Sequence, residues 1–362
     1  MIIINIAVDL LCIIANYLDG MDLINFAIFQ NNKNLTSKIK IECINFMNYN
    51  LIKLKQLTEL KYLSIKNCTA DLYLLQCLKH LTYLKSLSLN NCYNITDLNF
   101  LSNLELTTLS ISGYNKIIDF EPISKLTILE NLDLIHSDVK ILPISSLTNL
   151  KTLNLTLSAR IQGSDFNCLT NLTNLTSLNL CECLCIRDNA LKFLINMTKL
   201  ETLDLSKCEH ISNIGILTHL TNLKFLNLSI CDRIENIRPL KQLSSLQYLD
   251  LSGCDSISDL SPIKYLTNLT SFYIDDCINI TDIHIVSNLT QIKYLSLSAC
   301  ENIINIDTIT NLTNLVSLDL SSLSEIKNLK FITSLTNLTF IDLSSSSIID
   351  FDPSSVSFFI RH

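Results

Sequence analysis

The chain has 362 residues, 48% of them hydrophobic, with only 5 glycines, 14 cysteines and a net charge of −7. Lysine and arginine are nowhere clustered, which argues against a nucleic-acid footprint and against a polybasic membrane-surface patch. No stretch reaches the roughly 18 uninterrupted apolar residues that a membrane span needs.

The first 35 residues stand apart from the rest. Met1 to Leu18 is apolar but lacks a positive leader, is interrupted by Asp9, and offers Ala15-Asn16-Tyr17 as a poor cleavage site, so no secretory signal is expected. Leu10, Leu11, Ile14, Tyr17 and Leu18 recur at helical spacing. Asp9 is placed to cap a first helix and Asp19 or Asp22 a second, with Gly20 in the turn between them.

From residue 36 to about 350 the chain repeats itself. The clearest copy runs from Leu243 to Ile263 and reads LxxLxxLxLxxCxxIxDL. Aligned on the first leucine of the LxL unit, the copies fall at Leu63, Leu87, Leu109, Leu132, Leu153, Leu178, Leu203, Leu226, Leu249, Phe272, Leu295, Leu318 and Ile341. That is 13 repeats, and the last six spacings are all 23 residues. Ile39-Lys-Ile41 reads as a degenerate turn before them.

Alternation puts both leucines of each LxL on one face of a short strand. A single strand of that length cannot bury its face alone, so the repeats must stack their faces into one continuous core. A 23-residue turn leaves little room for a long return helix. Short 3₁₀ turns are expected there, with Pro122, Pro239 and Pro262 at positions that need no ladder N–H. The longer turns after Leu153 and Leu178 have room for more helix, and 188–195 has a helical look. Residues 351–362 remain as a tail or cap.

Eight cysteines share one position after the strand: Cys68, Cys92, Cys183, Cys208, Cys231, Cys254, Cys277 and Cys300. Stacked side chains pointing in parallel are poorly arranged for disulfides, so these are expected to be buried, reduced thiols in the cytoplasm or nucleus. The string Cys181-Glu-Cys183-Leu-Cys185 lacks an evident fourth ligand and reads as ladder rather than metal site. There is no Gly-rich phosphate loop and no HExxH, so neither a cofactor nor an enzymatic activity is expected. Asn-x-Thr strings such as Asn171-Leu-Thr173 and Asn311-Leu-Thr313 fall in the repeat turns and are read as turn chemistry rather than as glycosylation acceptors.

These repeats resemble the leucine-rich-repeat family. Leu266-Thr-Asn-Leu269 and Asp259-Leu-Ser-Pro262-Ile263 resemble its short internalin-type subclass, and the cysteine position its cysteine-containing subclass. The resemblance implies an α/β-type solenoid: a horseshoe with one parallel sheet on the concave side, 3₁₀ turns on the convex side and a small helical segment in front. It also implies that the protein works by binding another protein.

The N-terminal segment resembles an F-box, LPxDLLxxIxxYLDxxDLxxLxxV. Asp9, Leu10, Leu11, Ile14, Tyr17, Leu18, Asp19, Asp22, Leu23 and Phe26 match that pattern. Ile6-Ala7 stands where the family has Leu-Pro, and Gln30-Asn-Asn-Lys33 where it ends on Cys-Lys-x-Trp. The resemblance implies docking to the Skp-type linker of a cullin ubiquitin ligase, the repeats then presenting a protein substrate. The alternative is a helical cap on a repeat-only scaffold or surface adhesin.

On the expected concave side the residues between the strand leucines run from Ser64 through Asp204, Asn227, Asp250, Tyr273 and Ser296 to Asp342. Phe225, Tyr248, Tyr273 and Tyr294 lie on successive strands and are expected to form one aromatic cluster, with Asp250, Asp275 and Asp276 around it. Such a face suits a basic or apolar protein segment. Plain repeat consensus is the competing reading of the same residues.

Overall fold

The structure is a computed structural model, and it describes residues 38–42, 59–67, 76–113, 117, 119–136, 143–158, 161, 163–323, 329–346 and 359–361. The chain divides into two units, Met1–Ile161 and Gln162–His362. The first unit carries β1 (Lys38–Glu42), β2 (Tyr62–Lys66), β3 (Ser86–Asn90), β4 (Thr108–Ser112), β5 (Asn131–Asp133) and β6 (Thr152–Asn154). The second carries β7 (Ser177–Asn179), β8 (Thr202–Asp204), β9 (Phe225–Asn227), β10 (Tyr248–Asp250), β11 (Ser271–Tyr273), β12 (Tyr294–Ser296), β13 (Ser317–Asp319), β14 (Phe340–Asp342) and β15 (Phe359–Arg361).

Within each unit every strand pairs in parallel with its sequence neighbours, and the LxL leucines lie opposite one another: Leu249 faces Leu226 on one side and Phe272 on the other. This is the solenoid that the repeat spacing predicts. The degenerate turn at Ile39-Lys-Ile41 forms β1, in register with Leu63 and Ile65 of β2. In the tail, Phe359–Arg361 adds a strand beyond the last repeat, paired with β14.

In most strands, length follows from one residue position. In β2, β3 and β4 the residue between the leucines is Ser64, Ser88 or Ser110, and each strand runs for five residues. Where that residue is Asp or Asn, its carboxylate or amide oxygen accepts the N–H two residues on. The pairs are Ser206 to Asp204, Ser229 to Asn227 and Ser252 to Asp250, each at 2.9 Å. That Asx turn captures a donor that would otherwise extend the ladder, so these strands stop at three residues.

After each of β2 to β14 comes a residue with positive φ. Lys207, Ile230 and Asp276 have φ near +57°, and Gly253 has +68°. The left-handed geometry aims the N–H sideways at the next repeat: Ile230 N–H donates to Ser252 O at 2.7 Å, and Gly253 N–H to Asp275 O at 2.7 Å. A cross-repeat bond thereby offsets the roughly 1–2 kcal/mol that such a conformation costs a non-glycine residue.

Most return segments are 3₁₀ turns. Several are opened by a second Asx contact, such as Ser261 N–H to Asp259 Oδ1 at 2.8 Å. Pro122, Pro239 and Pro262 occupy their first positions, where no N–H is needed. The two long repeats carry longer 3₁₀ stretches, Asp165–Asn171 and Ala190–Asn196, and Phe166 stacks on Phe193 with ring centroids 5.8 Å apart. The Leu-Thr-Asn-Leu turns are tied together by asparagine: Asn268 Nδ2 donates to Ser244 O at 2.9 Å, and Asn337 Nδ2 to Thr313 O at 2.8 Å. These amides belong to Asn-x-Thr strings, so turn chemistry accounts for them.

Candidate binding face

The side of each strand opposite the leucine core faces outward, and β9 to β12 place Phe225, Tyr248, Tyr273 and Tyr294 there. Phe225 and Tyr248 occupy the same position on neighbouring strands, directly in register. Their rings stack at 4.2 Å with an interplanar angle of 13°. Tyr273 sits two residues further along the strand direction, opposite Asp250. It reaches Tyr248 diagonally, with centroids 5.3 Å apart and planes tilted by 40°. Diagonal contact of this kind lies within the reach of large side chains on a sheet.

Tyr294, expected in the same cluster, lies opposite Ser271 on β12 and is 45% exposed. Among the described residues its ring makes no stack with Tyr273. The cluster is therefore three rings, and Tyr294 stands beside it.

The acidic residues divide by role. Asp250 is a turn residue first, since its Oδ1 holds the Ser252 N–H. Its Oδ2 receives only a long contact from the Tyr248 hydroxyl, at 3.5 Å. Asp276 is exposed and occupies the left-handed turn position after β11.

Two Asx turns are missing here, and Asp275 replaces one of them. Tyr273 and Ser296 stand where the other short strands carry Asp or Asn. The Ser298 N–H therefore has no acceptor in its own repeat, and Asp275 Oδ1 takes it from the repeat before, at 2.9 Å. The same oxygen accepts the Ser296 hydroxyl. In turn the Asp275 N–H is held by the Ser252 hydroxyl at 3.2 Å. Burial pushes the Asp275 carboxyl above the usual carboxylate range, the bonds from Ser296 and Ser298 pull it back, and Asp319 and Asp250 push it up again. This bridging role escaped the sequence reading, although the loss of Asx residues at 273 and 296 was its visible signal.

The cysteine ladder lies on the core side. The thiols of Cys208, Cys231, Cys254, Cys277 and Cys300 each donate to the carbonyl just after the strand of the preceding repeat, for example Cys254 Sγ to Leu228 O at 3.1 Å and Cys277 Sγ to Leu251 O at 3.2 Å. Among the described residues every cysteine is a free thiol. Burial pushes Cys231, Cys277 and Cys300 up to about 12. Cys68 and the proposed linker-binding residues Asp9, Leu10, Leu11, Ile14, Tyr17, Leu18, Asp22, Leu23 and Phe26 lie outside the described residues.

Comparison with known proteins agrees with this architecture. A family model described as leucine rich repeats (two copies) matches residues 198–242 and 221–265, the stretch of regular 23-residue spacing that contains Phe225 and Tyr248. No curated protein matches the sequence. Among solved structures, the chain is similar to an internalin from Listeria monocytogenes at 26% identity, over 92% of this chain and 91% of that one, with a TM-score of 0.67. It is also similar to the functional domain of InlJ from Listeria monocytogenes, which includes a cysteine ladder, at 22% identity over 89% of this chain and 66% of that one, with a TM-score of 0.62. A leucine-rich-repeat protein of Leptospira interrogans matches at 19% identity over 90% and 93% of the two chains, with a TM-score of 0.54. The fold is that of a leucine-rich-repeat solenoid.

Proposed function

We propose that this leucine-rich-repeat solenoid is a non-catalytic protein-recognition module whose partner docks on the outward face of β9–β12, around Phe225, Tyr248 and Tyr273. The ring stack carries this reading. Most other outward positions of the second unit are serine, threonine, asparagine or aspartate. The core side of these strands is already filled by Leu226, Leu249 and Phe272, each fully buried, so the rings are not needed to close it. Half-exposed rings in a polar field are the usual anchors of protein interfaces.

The test is affinity capture with the full chain and with a Tyr248→Ala/Tyr273→Ala double variant of unchanged thermal midpoint. A specific partner is lost with the double variant and kept by Tyr83→Ala, which removes a well-exposed ring in the first unit. A partner retained equally by all three chains refutes this face.

The Asp9-to-Phe26 string supports a bipartite form of the same reading, in which residues 1–35 engage the Skp-type linker of a cullin ubiquitin ligase and the repeats hold the protein to be ubiquitinated. Co-purification of the full chain against a chain lacking residues 1–35 decides it. Linker and cullin recovered with both, or with neither, refute the adaptor role and leave a repeat-only scaffold or adhesin. Buried, unpaired thiols favour a reducing compartment, hence the cytoplasm or nucleus.

A further inference from the structure

The outward face of β7–β14 carries charge of one sign. Along β7–β14, the outward strand positions and the residue two beyond each strand's last residue carry Asp204, Asp250, Asp275, Asp319 and Asp342, and no lysine, arginine or histidine. Only Asp342 meets a cation within the described ion pairs, Arg361 at 3.3 Å. The lysines nearest the rings on the preceding side are engaged elsewhere: Lys224 with Glu201 at 2.8 Å, and Lys207 with Glu182.

These carboxylates act on one another and on the rings. Burial first, then Asp319 and Asp250, raise the Asp275 carboxyl. Burial first, then Asp250, raise the Tyr248 hydroxyl, and Asp250 contributes in the same sense at Tyr273. The aromatic seat therefore lies at the centre of an uncompensated negative field.

We infer that the exposed parts of Tyr248 and Tyr273, beside Asp250, seat an arginine side chain of the protein partner. The inference rests on the reading of this face as the docking surface. Three features select that occupant. Phe225 covers one side of Tyr248 at 4.2 Å, Tyr273 meets it with centroids 5.3 Å apart and planes tilted by 40°, and both tyrosines stay half-exposed. Ring faces attract a cation, and a flat, weakly hydrated guanidinium stacks on them better than an ammonium does. Asp250 Oδ2, with only its 3.5 Å contact to the Tyr248 hydroxyl, keeps acceptor capacity beside the rings. An apolar occupant would strip water from Asp250 and Asp275 without pairing them, and an acidic one would be repelled.

The experiment is fluorescence polarisation of the full chain with labelled peptides in which glycine alternates with arginine, lysine or glutamate. The arginine peptide is expected to bind, more tightly than the lysine peptide, and the glutamate peptide not at all. Tyr248→Leu and Asp250→Asn should each weaken the arginine peptide about threefold to thirtyfold, whereas Tyr248→Phe should retain most of the affinity. Asp250→Asn keeps the Asx turn, since Asn227 makes the same bond, so the fold is preserved. Asp232→Asn, an exposed acid outside the outward columns, should change nothing. Absence of arginine-peptide binding overturns the inference. Equal loss in Asp232→Asn and Asp250→Asn also overturns it, because that pattern means diffuse charge attraction. A lysine peptide that binds as tightly overturns the guanidinium assignment. If the natural partner is lost in Tyr248→Ala/Tyr273→Ala while the arginine peptide ignores both substitutions, the docking face stands and the arginine seat falls.

Discussion

Asp275 offers the sharpest test of how these repeats are held together. Replacing it by alanine removes the acceptor for the Ser298 N–H (2.9 Å) and for the Ser296 hydroxyl, and a partner of the Ser252 hydroxyl (3.4 Å). Ser296 is buried and cannot turn to water. A buried donor left without a partner costs about 1–3 kcal/mol, so Asp275→Ala should destabilise the second unit by about 2–4 kcal/mol. Asp275→Asn behaves differently. Its carbonyl oxygen still accepts from Ser296 and Ser298, its amide donates to the Ser252 hydroxyl, and the charge facing Asp250 and Asp319 is gone. That variant should lie within about 1 kcal/mol of the parent at neutral pH. The pH dependence has a definite sign. The folded carboxyl sits above its unfolded value, so the native state binds the proton more tightly. The contribution of Asp275 to stability is then full below the unfolded carboxylate range and is lost as pH rises through the raised folded value. The parent should gain on Asp275→Asn as pH is lowered through that window. Urea unfolding of the three chains across that pH range, with hydrogen exchange of the β12 segment as a local readout, measures both effects. Asparagine as damaging as alanine at every pH would refute the bridging role.

Leu249→Ala removes a fully buried side chain held between Leu226 and Phe272, and should cost about 2–5 kcal/mol in denaturant unfolding because the fixed register on both sides prevents collapse. Ile230→Gly relieves a β-branched residue held at φ 56° with its side chain largely exposed, and should raise stability by up to about 1 kcal/mol; a fall in thermal midpoint would contradict the left-handed turn at that position. Cys231, Cys277 and Cys300 should resist iodoacetamide at mildly alkaline pH in the native chain and react once it is unfolded, followed by mass spectrometry of the tryptic peptides. Because their folded values are raised, the stability they contribute is present below the ordinary thiol range near pH 8.5 and is lost as pH rises toward about 12.

Much of this architecture is legible in the chain because its causes are local and repeated. The alternation of Leu249 and Leu251 sets which face is buried, and a 23-residue return sets which leucines lie side by side. Asp259 followed by Pro262 marks the start of a 3₁₀ turn. The ladder position of Cys254 implied a buried thiol, and its bond to Leu228 O gives the reason.

The outward face is a different matter. Register alone put Phe225, Tyr248, Tyr273 and Tyr294 on successive strands, but ring contact depends on side-chain direction across two strands. It joins the first three and leaves Tyr294 beside them. Asp275 and Asp276, adjacent in sequence, part company: one bonds serines of the repeats on either side, the other stands exposed in a left-handed turn. Sequence periodicity decides what is buried because burial repeats with the backbone. Which outward groups meet depends on bonds between residues more than twenty positions apart, such as Asp275 with Ser252 and Ser298, and only the stacked structure brings those together.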